Sequence, residues 1–128
     1  MKLVSVAKDV TPITARGGEI HVLISPKTAG SQNMIMGAAT VPVGGTVKAH
    51  VHDYSEECFY VLRGYGRVHL EGMADPIEFY PGAAVRIPQA MIHSIENTGS
   101  EEIMVVFASA PLAPSASVGH RNIGETSR

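Results

Sequence analysis

Two histidines separated by one residue, His50 and His52, have the types and spacing best suited to hold a metal ion. On a β-strand, side chains at positions i and i+2 point to the same face, so both imidazoles can approach one point. We predict a strand over Thr46–His52, which would place the pair at its carboxyl end. A His-x-His pair on a strand favours metal binding when a third ligand lies nearby.

Acidic residues follow the pair closely. We predict a second strand over Glu57–Leu62, which is rich in β-branched and aromatic residues, and a turn at 53–55 between the two strands. If the two strands form an antiparallel hairpin, Glu56 or Glu57 can present a carboxylate to the imidazoles. Two imidazoles and one carboxylate indicate a site for a first-row transition metal.

A third imidazole comes from His93, in a stretch over Met91–Asn97 that we predict to be another strand. Held beside the first pair, His93 would complete a set of three nitrogens and one oxygen. Such a set discriminates poorly between divalent metals. We therefore expect one divalent transition metal ion, with Zn²⁺ preferred and Ni²⁺, Fe²⁺ and Mn²⁺ as alternatives.

The spacing of these residues resembles the two motifs of the cupin superfamily at nearly every fixed position. One position departs from the family pattern, because Ala90 stands where the family usually has glycine, and this matters only if the backbone there needs a positive φ angle. The matching residues of the first motif are Gly44, His50, His52, Glu57 and Gly64, and those of the second are Gly82, Pro88, His93 and Asn97.

The resemblance implies that His50, His52, Glu57 and His93 bind the metal and leave positions open for water or a substrate oxygen. Glu57 is preferred to Glu56 because only Glu57 keeps the six-residue spacing to the following glycine of the motif. Some members of the group use histidines alone. In that case Glu57 would orient an imidazole or act as a general base.

Short strand-like segments separated by glycine and proline dominate the chain, which has 13 Gly and 8 Pro. This pattern predicts an all-β protein, and the resemblance implies a double-stranded β-helix, the cupin jelly-roll barrel. We expect a single cupin domain over residues 1–128, with an irregular N-terminal lead-in, a barrel core at about 20–109 and a Pro-rich tail at 110–128. The remaining predicted strands lie at 20–24, 34–41, 67–71, 76–80, 84–87 and 103–108.

Charge and composition exclude several classes of function. The formal net charge of −2 gives no electrostatic footprint for nucleic acid or an anionic membrane. No stretch approaches the 18 apolar residues of a membrane span, and the N-terminus lacks the apolar region of a signal peptide. The single cysteine, Cys58, excludes an internal disulfide and fits a reducing compartment. We expect a cytoplasmic protein with neither nucleic-acid nor membrane partners.

One further histidine, His69, has two interpretations. If its neighbours Val68 and Leu70 face the core, His69 is exposed; in the opposite register it lines the cavity as a fourth imidazole or an acid/base. On the second interpretation we include His69, with the four metal-site residues, among the candidate catalytic residues.

The other ionisable residues are weaker candidates. We interpret His21 as structural and His120, in the tail, as a surface residue, with closure of His120 over the site as the alternative. The cations Arg16, Lys27 and Arg86 are interpreted as solvated, although any one of them pointing inward would be able to neutralise an enolate.

More local features resemble the small single-domain aromatic polyketide cyclases of the tetracenomycin and resistomycin type. They are the stretches 16–19 (Arg-Gly-Gly-Glu), 25–28 (Ser-Pro-Lys-Thr) and 111–114 (Pro-Leu-Ala-Pro), and the resemblance covers roughly residues 16–120. It implies a metal-dependent, regiospecific intramolecular aldol cyclisation and aromatisation of a poly-β-ketone, as in antibiotic biosynthesis. The implied partners are a small-molecule polyketide substrate, a polyketide synthase or acyl carrier protein, and a second copy of the chain in a homodimer.

Two alternatives stay open, because a fold does not fix the chemistry that it hosts. The same ligand set serves a metal-dependent cupin dioxygenase that acts on a phenolic or diketone small molecule. A non-catalytic cupin that binds a small molecule is the other alternative.

Overall fold

A computed structural model describes residues 2–123, which form two antiparallel sheets packed face to face. This arrangement confirms the predicted all-β jelly roll. The strands within that range are β1 (Glu19–Ile24), β2 (Ile35–Val41), β3 (Thr46–Val51), β4 (Glu56–Arg63), β5 (Gly66–Leu70), β6 (Ile77–Phe79), β7 (Ala84–Ile87), β8 (His93–Asn97), β9 (Ile103–Ala110) and β10 (Arg121–Asn122).

Each sheet has five strands. The first has the order β1-β2-β9-β4-β7, and the second has the order β10-β3-β8-β5-β6. Strands β3 and β4 follow each other in the chain but lie in different sheets. The predicted hairpin of these two strands is therefore wrong: the turn at 53–55 carries the chain from one sheet to the other.

The core lies between the two sheets and is built by alternation along each strand. In β5, for example, Val68 and Leu70 point inward and are buried, whereas His69 points outward and is exposed. The rings of Phe59 and Phe79 meet edge to face across the core, with centroids 5.4 Å apart and planes at 81°. The other buried core residues are Val41, Val47, Val61, Val85, Ile87, Ile103 and Val105.

Helical structure is confined to short segments. A one-turn helix, α1 (Pro26–Ala29), follows β1. Ser25 caps this turn, because its Oγ accepts a hydrogen bond from the Thr28 N–H at 3.2 Å while the Thr28 Oγ1 accepts one from the Ser25 N–H at 2.9 Å. Two 3-10 turns lie at Ala7–Asp9 and Ala116–Val118. Among residues 2–123, no helix has the length and hydrophobicity needed to span a bilayer.

The Pro-rich tail folds back onto the second sheet up to residue 123, and its strand β10 pairs with β3; residues 124–128 of the predicted tail lie outside the described residues. The Ser55 hydroxyl donates to the Pro111 carbonyl at the start of the tail. Near its end, the Arg121 guanidinium donates to both carboxylate oxygens of Asp53 at 3.0 Å. The tail thus lies against the barrel, with β10 at the edge of the second sheet.

The turn before β8 contains the position at which the sequence departs from the cupin pattern. Ala90 has a φ angle of +60°, a left-handed conformation that a Cβ atom disfavours. Its N–H donates to the His52 carbonyl at 2.9 Å, and the neighbouring Gln89 side chain donates to the Asp53 carbonyl at 3.0 Å. The strained turn thus supports the backbone that carries His52.

We expect Ala90→Gly to raise the free energy of unfolding by about 0.5–1 kcal/mol. Glycine removes roughly 1–2 kcal/mol of left-handed strain, and the greater freedom of the unfolded chain offsets about 0.5–1 kcal/mol of this gain. Urea unfolding measures the change. The matched control is Ala84→Gly, at an exposed position of β7, which should lower stability by about 0.5–1 kcal/mol. Equal destabilisation by both substitutions would contradict the assignment of strain to Ala90.

Candidate metal centre

The two sheets bring His50, His52, Glu57 and His93 together at one end of the core. Their four potential ligand atoms all lie within 4.8 Å of one another. His50 lies in β3 and pairs directly with His93 at the start of β8, while Glu57 reaches across from β4 of the other sheet. His52 lies one residue beyond the end of β3, which is one residue shorter than predicted.

A β-bulge contributes to this arrangement. The pairing of β3 with β8 shifts register between Val47 and His50. A bulge bends its strand and redirects the side chains that follow it. The imidazoles of His50 and His93 are close but tilted, with ring centroids 4.1 Å apart and planes at 57°, and the His52 ring lies edge-on to that of His50 at 5.1 Å.

Each of the three imidazoles has a backbone carbonyl at its Nδ1. His50 pairs with the Lys48 carbonyl at 2.7 Å, His93 with the Met91 carbonyl at 3.0 Å, and His52 with the Gly119 carbonyl of the tail at 2.9 Å. Because a carbonyl only accepts, each Nδ1 carries the proton and donates it. The lone pairs of His50 and His93 are therefore on Nε2, the atom that is free to bind a metal, whereas the Nε2 of His52 faces the Glu57 carboxylate.

Glu57 supplies the negative charge of the site. Its Oε1 lies 3.1 Å from the His52 Nε2 and 3.8 Å from the His93 Nε2. Glu56, in contrast, points outward and accepts a hydrogen bond from the Arg86 Nε at 2.8 Å. The geometry therefore favours Glu57 over Glu56 as the oxygen donor.

The electrostatics divide the three histidines into two kinds. Burial lowers the pKa of His50 to about 3, helped by the neighbouring His93, and burial also lowers the pKa of His93. Burial acts in the same direction on His52, but the hydrogen bond and charge of Glu57 outweigh it and raise the pKa of that ring. His50 and His93 are thus neutral near pH 7, as metal ligands must be, whereas a cation at His52 would displace the proton that its Nε2 donates to Glu57.

The donor set fits a divalent transition metal. Protein ligands bind such ions at about 2.0–2.2 Å, so adjacent ligand atoms lie about 3 Å apart around one ion. The distance of 3.1 Å between the His52 Nε2 and the Glu57 Oε1 agrees with this requirement. The bound ion itself, and its identity, stay predictions.

His120 also belongs to this end of the barrel, and its interpretation as a surface residue is wrong. Its ring stacks on that of His50, with centroids 4.5 Å apart and planes at 16°. Its Nε2 donates to the Asn122 Oδ1 at 2.8 Å, and its Nδ1 is buried without a hydrogen-bond partner among residues 2–123. Burial lowers the pKa of His120 to about 4. The alternative interpretation, closure over the site, describes its position correctly.

Two other candidates lie outside the site. His69, predicted in one register to line the cavity, lies on the outer face of β5, where its Nε2 is 3.1 Å from the Glu96 Oε1 and its side chain is 48% exposed. This corrects the expectation that it reaches the site, because Val68 and Leu70 occupy the inward positions. His21 lies on β1, 3.7 Å from Glu19.

Comparison with known proteins places these features in a family context. A model of the cupin domain matches residues 37–109. Protein SchB of Streptomyces halstedii is 39% identical over 118 residues, which are 92% of this chain and 84% of that protein. Polyketide synthase CurC of Streptomyces cyaneus is 39% identical over 88% of this chain and 72% of that protein. The tetracenomycin polyketide synthase protein TcmJ of Streptomyces glaucescens is 29% identical over 87% of this chain and 73% of that protein. These matches confirm the resemblance inferred from the sequence.

Solved structures agree on the fold. The crystal structure of a predicted oxalate decarboxylase from Thermotoga maritima matches with a TM-score of 0.69 and 26% identity, and the match covers 85% of this chain and 99% of that chain. A structure of Bacillus subtilis oxalate decarboxylase, a protein with Mn(II) centres, matches with a TM-score of 0.78 and 22% identity over 91% of this chain and 31% of that chain. At that identity the second likeness concerns the fold alone.

We expect the metal-free protein to lose stability as the pH falls from 7 to 5. The unfolded chain takes up protons at His50, His93 and His120 near pH 6.5, whereas the folded chain, with lowered pKa values, does not, so protonation favours unfolding. His52 acts in the opposite sense, because its raised pKa adds stability below pH 6.5 that is lost as the pH rises through the folded-state pKa. Urea unfolding in chelator measures the slope, which His50→Gln should make shallower. A free energy independent of pH in both proteins would contradict this balance.

Removal of the tail should weaken metal binding. A variant that ends at Pro114 loses the Gly119 carbonyl that holds the His52 Nδ1, together with the ring that stacks on His50. Loss of such an outer hydrogen bond typically lowers metal affinity about 10- to 100-fold. Competition with a chromophoric chelator measures the affinity, and circular dichroism checks that the sheets are intact. Unchanged affinity in a folded variant would show that the tail does not support the site.

Proposed function

We infer the function of this chain from its site and from its family, because the chain belongs to the cupin domain family. We propose that it is a metal-dependent polyketide cyclase that closes a ring of a poly-β-ketone by intramolecular aldol reaction and loss of water. The observation that carries this proposal is the buried cluster of three imidazoles and one carboxylate in a chain whose relatives include proteins named for polyketide synthases.

His50, His52 and His93 would hold the metal through Nε2, and Glu57 would be the fourth ligand. A divalent ion bound there supplies a Lewis acid for a carbonyl oxygen, with Zn²⁺ preferred and Ni²⁺, Fe²⁺ or Mn²⁺ as alternatives. The protein's own part is to keep two of the imidazoles neutral through burial and to fix all three rings through backbone carbonyls.

Glu57 is the residue best placed for proton transfer if the histidines alone hold the metal. Its carboxylate accepts a hydrogen bond from the His52 Nε2, with the two atoms 3.1 Å apart. The hydrogens between two ketones of a poly-β-ketone are already acidic, so a single carboxylate near neutral pH suffices as a base.

Which ring closes then depends on how the protein holds the poly-β-ketone substrate. Proximity and orientation contribute much of the rate of an intramolecular closure, and a fixed carbonyl determines which carbon attacks it. We propose a small-molecule polyketide as substrate, delivered by a polyketide synthase or its acyl carrier protein, and a homodimer as the working form.

Reconstitution with a minimal polyketide synthase tests the proposal. The purified protein should contain close to one equivalent of one transition metal and should direct the released poly-β-ketone to one ring closure, with or without oxygen. His93→Gln should lower both the affinity for the metal and the rate of cyclisation at least about 100-fold, because it removes a proposed direct ligand. His69→Gln, on the outer face of β5, is the matched control and should leave both unchanged.

Three results would contradict the proposal. Full cyclisation in chelator, with less than about a tenth of an equivalent of metal, would exclude the metal site as the catalyst. Oxygen consumption coupled to turnover of a phenol or diketone would indicate the dioxygenase. Tight binding of the polyketide without any turnover would indicate a binding protein.

A further inference from the structure

The lead-in before β1 places a cation beside the metal centre. The Arg16 carbonyl accepts a hydrogen bond from the Lys48 N–H at 3.0 Å, two residues before His50. Gly17 makes this close approach possible. Its φ angle is +103°, and a Cβ there would lie 2.1 Å from the Thr46 carbonyl oxygen, so only glycine fits. The backbone of Arg16 is therefore fixed against the strand that carries two of the metal-site histidines.

The guanidinium of Arg16 differs from those of the other arginines that the structure describes. The other four each have a carboxylate partner at 2.8–3.1 Å, in the pairs Arg63–Glu102, Arg67–Glu78, Arg86–Glu56 and Arg121–Asp53. Within residues 2–123, Arg16 alone among the arginines has no carboxylate within 4 Å and no hydrogen bond from its side chain. It is also half-buried, whereas an arginine without a partner normally extends into water.

The surroundings of Arg16 are those of the site. Burial lowers its pKa and the negative charge of Glu57 raises it, while its own positive charge lowers the pKa values of His52 and His120. Glu57 is nevertheless not its ion-pair partner, since the carboxylate is directed to His52 and His93. A half-buried guanidinium without a carboxylate partner, on a backbone fixed beside the candidate metal centre, is suited to receive an anion from outside the chain.

We propose that Arg16 binds the enolate oxygen of the substrate, at the side of the site that the lead-in covers. This deepens the cyclase proposal and rests on it. The enolate of a β-dicarbonyl spreads one negative charge over two oxygens, and the forked donors of a guanidinium match two oxygens in a plane. Arg16 is thus a specificity-determining residue, which selects the anionic form of the substrate and fixes its register before ring closure.

Binding of a stable enolate analogue tests this without turnover. The probe is 2-hydroxy-1,4-naphthoquinone, which is an anion at neutral pH, and the reference is its neutral methyl ether; calorimetry on the protein as purified, with its metal content measured, gives both affinities. Arg16→Gln should weaken binding of the anion about 10-fold or more and change that of the ether less than about 2-fold. Arg16→Lys should retain part of the affinity. Arg63→Gln, which removes an exposed, ion-paired arginine, is the matched control and should have no effect.

The results separate this inference from the proposed function. Unchanged anion binding in Arg16→Gln, an equal loss for anion and ether, or loss of the metal in that variant would overturn the assignment. Inorganic phosphate is the third probe. If the protein binds phosphate through Arg16 but does not bind the naphthoquinone anion, Arg16 recognises a phosphate group, and its assignment to the enolate is overturned. If Arg16→Gln selectively loses binding of the anionic probe, but the unmodified protein cyclises no polyketide, the role of Arg16 is upheld and the cyclase is rejected.

Discussion

One constraint governs the site: to bind a metal, three imidazoles would have to present unprotonated Nε2 atoms to the same point. Burial, with their mutual repulsion at His50, keeps His50 and His93 neutral, but it does not choose which ring nitrogen carries the remaining proton. The backbone carbonyls of Lys48 and Met91 make that choice by accepting a hydrogen bond from Nδ1. Each carbonyl also satisfies a buried polar group that would otherwise cost about 1–3 kcal/mol. The same two contacts therefore stabilise the fold and define its ligand atoms.

The four candidate ligands come from both sheets of the barrel. Nitrogen donors come from β3 and β8, which are neighbours in one sheet, and the carboxylate comes from β4 in the other. The cluster joins the two sheets at one end of the core. Movement of one sheet relative to the other would separate the Glu57 carboxylate from the His52 ring. A cation bound by all four residues would thus couple the sheets directly, and its binding free energy would add to the stability of the fold.

How far the sequence predicts this site depends on the range of each interaction. Period-two spacing suffices to place His50 and His52 on one face, and the motif spacing identifies Glu57 and His93. The same alternation, read from the buried pair Val68 and Leu70, puts His69 outside, but sequence alone does not say which face of β5 is inward. The hairpin prediction failed for a related reason: a three-residue turn is as compatible with a crossing between sheets as with a return within one sheet.

Residues from the two ends of the described chain were the hardest to predict, because strand periodicity carries no information about them. The Gly119 carbonyl lies 67 positions from the His52 ring that it holds, and no local pattern marks either it or the stacked ring of His120. Arg16 and the tail reach the site by docking against β3, which must already be paired with β8 to offer that surface. Closing loops of such length costs entropy that only a formed barrel can offset. A cation bound at His52 would favour docking of the tail, and docking of the tail would favour the cation, because both stabilise the same Nδ1-protonated ring.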